Sequence, residues 1–289
     1  MKVSKKDKIG IVLFLIPALV IFTVFFIYPV ISVVATSFTK WNGMSAPKFV
    51  AFNNYKILFS DPIFKLSIKN NIIWALCAGF IQVPMAALAA LILASKPKGW
   101  KALRTIYFLP QVISGVALAM LWSSIYNSEY GVLNGLLKVL GLDHLCRNWL
   151  GDVKTAFPAV LIYWLLYLGY YMVIMLADII TIPESYYEAA EIDGATKIQS
   201  ALRITIPLMR TSMMTCITLA MVYGLRQFEQ VFTLTGGGPA NKTSVLVIYL
   251  YQEMKNNAYG LSAAAGVVLI IVGTVVITLT RKLLSPKEA

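Results

Sequence analysis

The residues able to do chemistry are few, and most of them fall together. At the end of a long apolar run the chain reads Tyr223-Gly-Leu-Arg-Gln-Phe-Glu-Gln230, followed by Thr235-Gly-Gly-Gly-Pro239. Charged groups inside an apolar segment are costly and usually face protein or water. Arg226 and Glu229 stand three apart, a spacing that allows a structural ion pair on one helical face. The same stretch suits a polar lining for a hydrated sugar. Sugars offer hydroxyls to amides and carboxylates, and apolar faces to aromatic rings. Gln227, Glu229 and Tyr223 supply that mixture, and Gly224 leaves room. Both readings stand on these residues alone.

Other chemistry has thin material. His144 is the single histidine, and the three cysteines, Cys77, Cys146 and Cys216, have no zinc or redox spacing. Cys146 lies near His144, but two ligands do not make a metal site. There is no nucleophile–base pair and no metal triad, so neither an enzyme nor a metalloprotein is expected. The stretch Gly236-Gly-Gly-Pro-Ala-Asn-Lys-Thr243 nearly spells a phosphate-binding loop. Asn241 stands where a glycine must precede the lysine, and the segment follows an apolar run rather than a strand. No ATPase is expected in this chain.

The elements that position these residues are apolar helices. The composition is 58% hydrophobic and 13% charged, against roughly 45–50% and about 25% for soluble domains. A soluble core has no room for that excess. The net charge of +12 sits in short gaps between apolar runs, which is not the footprint of a nucleic-acid protein. A bilayer core of about 30 Å needs about 20 helical residues. Six stretches answer to that: 9–35, 71–95, 105–127, 155–178, 208–234 and 259–280. Lipid satisfies no backbone amide, and the alternation of an outer-membrane barrel is absent, so helices are expected. The fold class is all-α: a polytopic membrane protein with about six transmembrane helices in a single domain over 1–289.

Orientation follows from Lys and Arg in short gaps. Lys2, Lys5, Lys6 and Lys8 precede the first span; Lys96, Lys98, Lys101 and Arg104 fill the second gap; Arg281, Lys282 and Lys287 follow the last. These clusters belong to the cytoplasmic side, with both termini inward. The gap at 36–70, on the opposite side, carries five lysines of its own, but spread through a longer stretch. The first run is too long for a signal-peptide core and lacks a small-residue cleavage site, so it is expected to remain as an anchor. Prolines at 17, 29, 84 and 110 should bend their helices.

Between the fourth and fifth spans lies Ile182-Pro-Glu-Ser-Tyr-Tyr-Glu-Ala-Ala-Glu-Ile-Asp-Gly-Ala-Thr-Lys-Ile-Gln-Ser-Ala-Leu-Arg-Ile-Thr-Ile-Pro207. It reads as two short helices with a corner. Pro183 and Glu184 suit a helix start, Gly194 a left-handed stop, and Thr196 with Gln199 a capping box. Pro207 is expected to end the second helix. Helix–helix connections usually take about 2–8 residues, so 182–207 is long for a mere crossing. Either another protein grips this corner or it lies on the bilayer as an amphipathic hairpin.

Glu188-Ala189-Ala190, Asp193-Gly194-Ala195 and Ile204-Thr205-Ile206-Pro207 resemble the "EAA" coupling loop of type I ATP-binding cassette (ABC) importer permeases, and within them the carbohydrate-uptake branch with its maltose-type first membrane subunit. The resemblance covers essentially all six spans. It implies the type I ABC importer permease fold in the bacterial cytoplasmic (inner) membrane. It further implies that Glu188, Ala189, Ala190, Asp193 and Gly194 dock on an ATPase. Tyr167, Tyr170, Tyr223, Gly224, Gln227 and Glu229 match positions at the membrane sugar site; the two fourth-span tyrosines equally suit helix packing. The chain departs from the family at Ala201, where a bulky aromatic is common, and at Ile206, where leucine is. Implied partners are a second related permease, two ATPase subunits carrying ATP and Mg, and an extracytoplasmic sugar-binding protein. An ion-coupled secondary transporter is the alternative, though internal repeats and midplane carboxylates are missing.

Overall fold

The computed structural model describes residues 5–284; Lys2 and Lys287 of the terminal clusters lie outside the described residues. Two compact units are formed, one from residues 1–62 and 249–270, the other from 63–248 and 271–289. Among the described residues, four helices are long and apolar enough to cross a membrane: Leu13–Ser37, Pro62–Ala94, Ala156–Ile180 and Tyr259–Lys282. Two bent pairs add to them, Trp100–Gln111 with Gly115–Ile125 at 102° and Lys197–Leu208 with Arg210–Leu225 at 68°.

In the first unit the helix Leu13–Ser37 hides none of its apolar window within the chain. Such a surface needs lipid or another subunit. Beyond it, a two-stranded antiparallel hairpin pairs Thr39 with Phe49 and Lys40 with Lys48. Asn54 of the helix Asn53–Ser60 pins the chain end, its Nδ2 donating to Ser37 O at 2.8 Å and Thr39 O at 2.9 Å. Gly260 packs so tightly there that a Cβ would lie 1.8 Å from Thr39 O, so only glycine fits. Tyr249 donates to Asp61 Oδ2 at 2.7 Å; burial and that bond push its phenol pKa up.

The second unit is organised around the helix Pro62–Ala94. It begins well before the apolar stretch predicted at 71–95, because Lys65 and Lys69 are exposed and a helix outside lipid needs no apolar residue. Small residues let neighbouring helices approach closely. Ala75, Ala78, Ala86 and Ala90 are fully buried, and Gly79 lies against Met221 and Ile217. Trp74 stands at the centre, ring to ring with Phe157 and Trp164.

Three helices contain a π-helical turn, Thr23–Ile27, Ala78–Gln82 and Ala201–Thr205. Each turn ends two residues before a proline, at 29, 84 and 207. Proline donates no N–H, and its ring presses on the carbonyl four residues back. That carbonyl falls inside the widened turn in all three, which is how the helix passes its proline unbroken. Pro207 therefore does not end its helix; the break comes after it, at Met209, where Lys197–Leu208 gives way to Arg210–Leu225.

Other breaks were not foreseen. The stretch predicted as one span at 105–127 is two helices meeting near a right angle across 112–114. Residues 166–168 interrupt the fourth helix, and 226–228 divide Arg210–Leu225 from Glu229–Thr235. Each break frees backbone groups that lipid cannot satisfy. Side-chain amides of the central helix take up three of them, Gln82 at Trp164 O and Tyr167 O and Asn71 at Leu225 O, and also hold the loop before Leu246. Asn70 Nδ2 donates to Lys242 O at 2.9 Å and Ser244 O at 2.8 Å. Asn71, fully buried, donates to Leu225 O at 2.9 Å and accepts from Leu246 N at 2.6 Å.

Asn71→Leu keeps the branching of the side chain and strands both backbone groups. With about 1–3 kcal/mol for each unmet buried group, it is expected to lower the thermal unfolding temperature of the detergent-solubilised protein clearly. An unchanged melting curve would show that Asn71 does not carry this junction.

Candidate functional site

The three breaks of the second unit surround a cavity of about 490 Å³. Its lining is rich in aromatic residues: Tyr163, Trp164, Tyr167, Tyr170, Tyr171 and Tyr223. Tyr223 lies nearly parallel to Trp164, centroids 6.2 Å apart at 12°, and Tyr163 meets Tyr167 edge-on at 5.1 Å. Trp122 Nε1 donates to the Tyr167 hydroxyl at 2.8 Å and so fixes where that ring stands. The polar residues of the same lining are Gln82, Gln111, Arg226, Glu229 and Gln230, with Gln82 and Gln111 bonded to the backbone of the aromatic stretch.

Glu229 owes its position to the break at 226–228, since it is the first residue of the helix Glu229–Thr235. A Cβ on Gly115 would lie 2.9 Å from Glu229 Oε2 and 3.2 Å from Gln230 Nε2. The carboxylate thus rests against the first turn of Gly115–Ile125, where unpaired N–H groups and the helix dipole favour negative charge. Arg226 caps the preceding helix rather than continuing it. The helical face on which Arg226 and Glu229 were expected to pair therefore does not exist, and among the described residues they form no ion pair with each other. Both charges face the cavity instead.

Of the expected pathway residues, the structure brings Tyr167, Tyr170, Tyr223 and Glu229 to the cavity. Gly224 and Gln227 stand apart. Gly224 belongs to the buried stripe of Cys216, Ile217, Ala220 and Met221, and a Cβ on it would meet Trp74 at 3.2 Å and Ala78 at 3.3 Å. Its small size serves helix packing. Gln227 is buried, with Nε2 donating to Tyr223 O at 3.3 Å. Sequence reasoning passed over Gln82, Gln111, Gln230, Tyr163 and Tyr171. Gln82 had a signal, being a polar side chain in the middle of an apolar run.

The corner at 182–207 takes the expected form. The helix Ser185–Ile192 closes with a Schellman motif: Ala195 N donates to Ala190 O at 2.8 Å and Gly194 N to Glu191 O at 3.0 Å. Gly194 sits at φ +75°, where glycine avoids the strain of a Cβ. The Thr196–Gln199 capping box starts the second helix. The Tyr187 hydroxyl and Thr205 Oγ1, 3.0 Å apart, tie the two helices of the corner together. Glu188, Ala189, Asp193 and Gly194 are exposed and Ala190 is half-buried. Ile192 and Ile198 are also exposed, at 87% and 72%. The near-phosphate loop has its backbone donors occupied: Gly236, Gly238, Lys242, Thr243 and Ser244 N–H groups all bond to carbonyls of the same loop or of the helix before it.

Residues 82–289, which include every break around the cavity, match the family described as the binding-protein-dependent transport system inner membrane component. The chain belongs to that family. A probable ABC transporter permease protein of Bacillus subtilis, YurN, is 38% identical over 92% of this chain and 93% of its own. The multiple sugar-binding transport system permease protein MsmF of Streptococcus mutans is 34% identical, with 93% of each chain covered. A solved bacterial ABC transporter involved in the import of the acidic polysaccharide alginate has a chain that superposes with a TM-score of 0.84 at 25% identity, covering 99% of this chain and 98% of that one. This permease is thus a multi-pass inner-membrane protein with the all-α ABC importer permease fold.

Tyr167→Phe removes the acceptor of Trp122 Nε1 without changing ring size. A loss of about 1 kcal/mol in stability is expected, read by thermal unfolding of the purified protein. A variant as stable as the parent would mean that the Trp122 contact does not hold the ring.

Proposed function

We propose that this permease forms, with a second related permease, the alternating-access pathway of a sugar importer. An extracytoplasmic binding protein delivers a di- or oligosaccharide to the cavity. Two ATPase subunits, which hold ATP and Mg, grip the corner at Glu188, Ala189, Ala190, Asp193 and Gly194 from the cytoplasmic side. Both termini face that side, and the chain itself carries out no hydrolysis. The observation that carries the reading is the cavity at the helix breaks. Its lining mixes flat aromatic rings with amides and a carboxylate, the two kinds of surface a sugar binds. Support also comes from the relative named for multiple sugars and from the alginate importer.

In this reading ATP binding favours one facing of the pathway and hydrolysis restores the other. Each ligand moves the equilibrium only through its unequal affinity for the two states. Glu229, held at the helix start by Gly115, offers acceptors to sugar hydroxyls. Tyr223 and Tyr170, each about half exposed, offer ring faces. The Schellman corner passes motion on because it is short, bonded at both ends and tied to Thr205.

The test is sugar uptake into proteoliposomes holding both permeases and both ATPases, with the binding protein outside and ATP within. Uptake is expected to follow ATP hydrolysis and to be indifferent to ion gradients. Gly194→Pro demands φ near −65° where the chain has +75°; it is expected to leave the protein in the membrane while abolishing uptake. Glu229→Gln, of equal size, is expected to reduce uptake about tenfold through loss of charge-assisted hydrogen bonds while assembly persists. Uptake driven by an ion gradient and untouched by Gly194→Pro would refute the importer reading.

A further inference from the structure

Three buried side-chain atoms, Trp74 Nε1, Gln82 Oε1 and Gln227 Oε1, have no hydrogen-bond partner among the described residues, and of these three residues Gln82 lines the cavity. Gln82 is 1% exposed and ends the π-helical turn Ala78–Gln82. Its Nε2 donates to two carbonyls at the 166–168 break, Trp164 O at 3.0 Å and Tyr167 O at 3.0 Å. This fixes the sense of the amide, because the reverse would set Oε1 against the same two carbonyl oxygens. Oε1 is left buried, with no hydrogen-bond partner among the described residues. Folded chains keep few such atoms, and each calls for a reason.

The surroundings narrow that reason. Gln82 lines the cavity beside Gln111, Tyr163 and Tyr167. Gln111 Nε2 is engaged at Tyr167 O, 3.2 Å away, and the Tyr167 hydroxyl is held by Trp122. If Gln82 served only to plug the break, its two donors would suffice and the acceptor would be a burden.

We propose that Gln82 is a specificity-determining residue of the pathway, its Oε1 accepting a hydrogen bond from a hydroxyl of the passing sugar. The proposal rests on the sugar-pathway reading above. With both N–H groups committed to the break, the amide offers the ligand an acceptor and no donor. It therefore selects a face bearing a hydroxyl over one on which hydrogen replaces that hydroxyl.

The test uses the full reconstituted importer and radiolabelled maltose, cellobiose, sucrose and raffinose, followed by the monodeoxy derivatives of whichever sugar is taken up. The quantity compared is the uptake ratio of parent to deoxy sugar in the unaltered permease and in Gln82→Leu. One binding protein serves both, so its own preference cancels. At one position of the sugar the ratio is expected to fall about tenfold in Gln82→Leu, the scale of one hydrogen bond to a ligand. If Gln82→Leu fails to assemble, Gln82→Lys keeps donors for the two carbonyls, removes the acceptor, and gives the same comparison. An equal ratio at every position would overturn the proposal and leave the pathway standing. Uptake that follows an ion gradient and not ATP hydrolysis would overturn the pathway reading and this proposal with it.

Discussion

Lipid offers no hydrogen bonds, so a chain that breaks its helices inside a membrane must supply partners for the groups it frees. Here that constraint is met largely by amide side chains. Asn71 serves both the end of Arg210–Leu225 and the start of Leu246–Lys255, while Gln82 and Gln111 converge on the carbonyl of Tyr167. The cavity exists because the breaks exist, and the breaks persist because these amides hold them. A helix running straight through 226–228 would not place Glu229 at a helix start against Gly115.

The π-helical turns show the same economy in another form. A proline in mid-helix need not kink or end it when the preceding turn widens to release the carbonyl in its way. At 201–205 the device carries the corner's second helix on to Leu208 before it turns. At 78–82 it does more, since the widened turn also positions Gln82. One local irregularity thus serves backbone satisfaction and the cavity wall together.

Sequence reasoning was strongest where physics acts over short distances. The Gly194 stop and the Thr196–Gln199 box involve residues within a few positions of one another, and both are formed as expected. It was weaker wherever a helix break intervened. Arg226 and Glu229 were placed on one helical face because nothing in their own spacing reveals that the helix stops at Leu225. Gly224 was counted as room for a ligand, yet the room is filled by Trp74, far away in the chain. Pro207 was taken as a terminator because the compensating π turn cannot be read from proline alone.

What the sequence by itself determined is the class of protein and the form of the corner at 182–207. Apolar run lengths compel membrane-spanning helices, and small residues with glycine at a left-handed position compel a tight turn. Only the tertiary structure decided which polar residues meet at the cavity. Tyr167, Tyr170, Tyr223 and Glu229 reach it, Gly224 and Gln227 do not, and Gln82 joins from another helix. The reason is that at 166–168 and 226–228 the carbonyls freed by the break are answered by side chains far away in the chain. The direction of every residue beyond the break depends on that long-range bond, which local spacing does not encode.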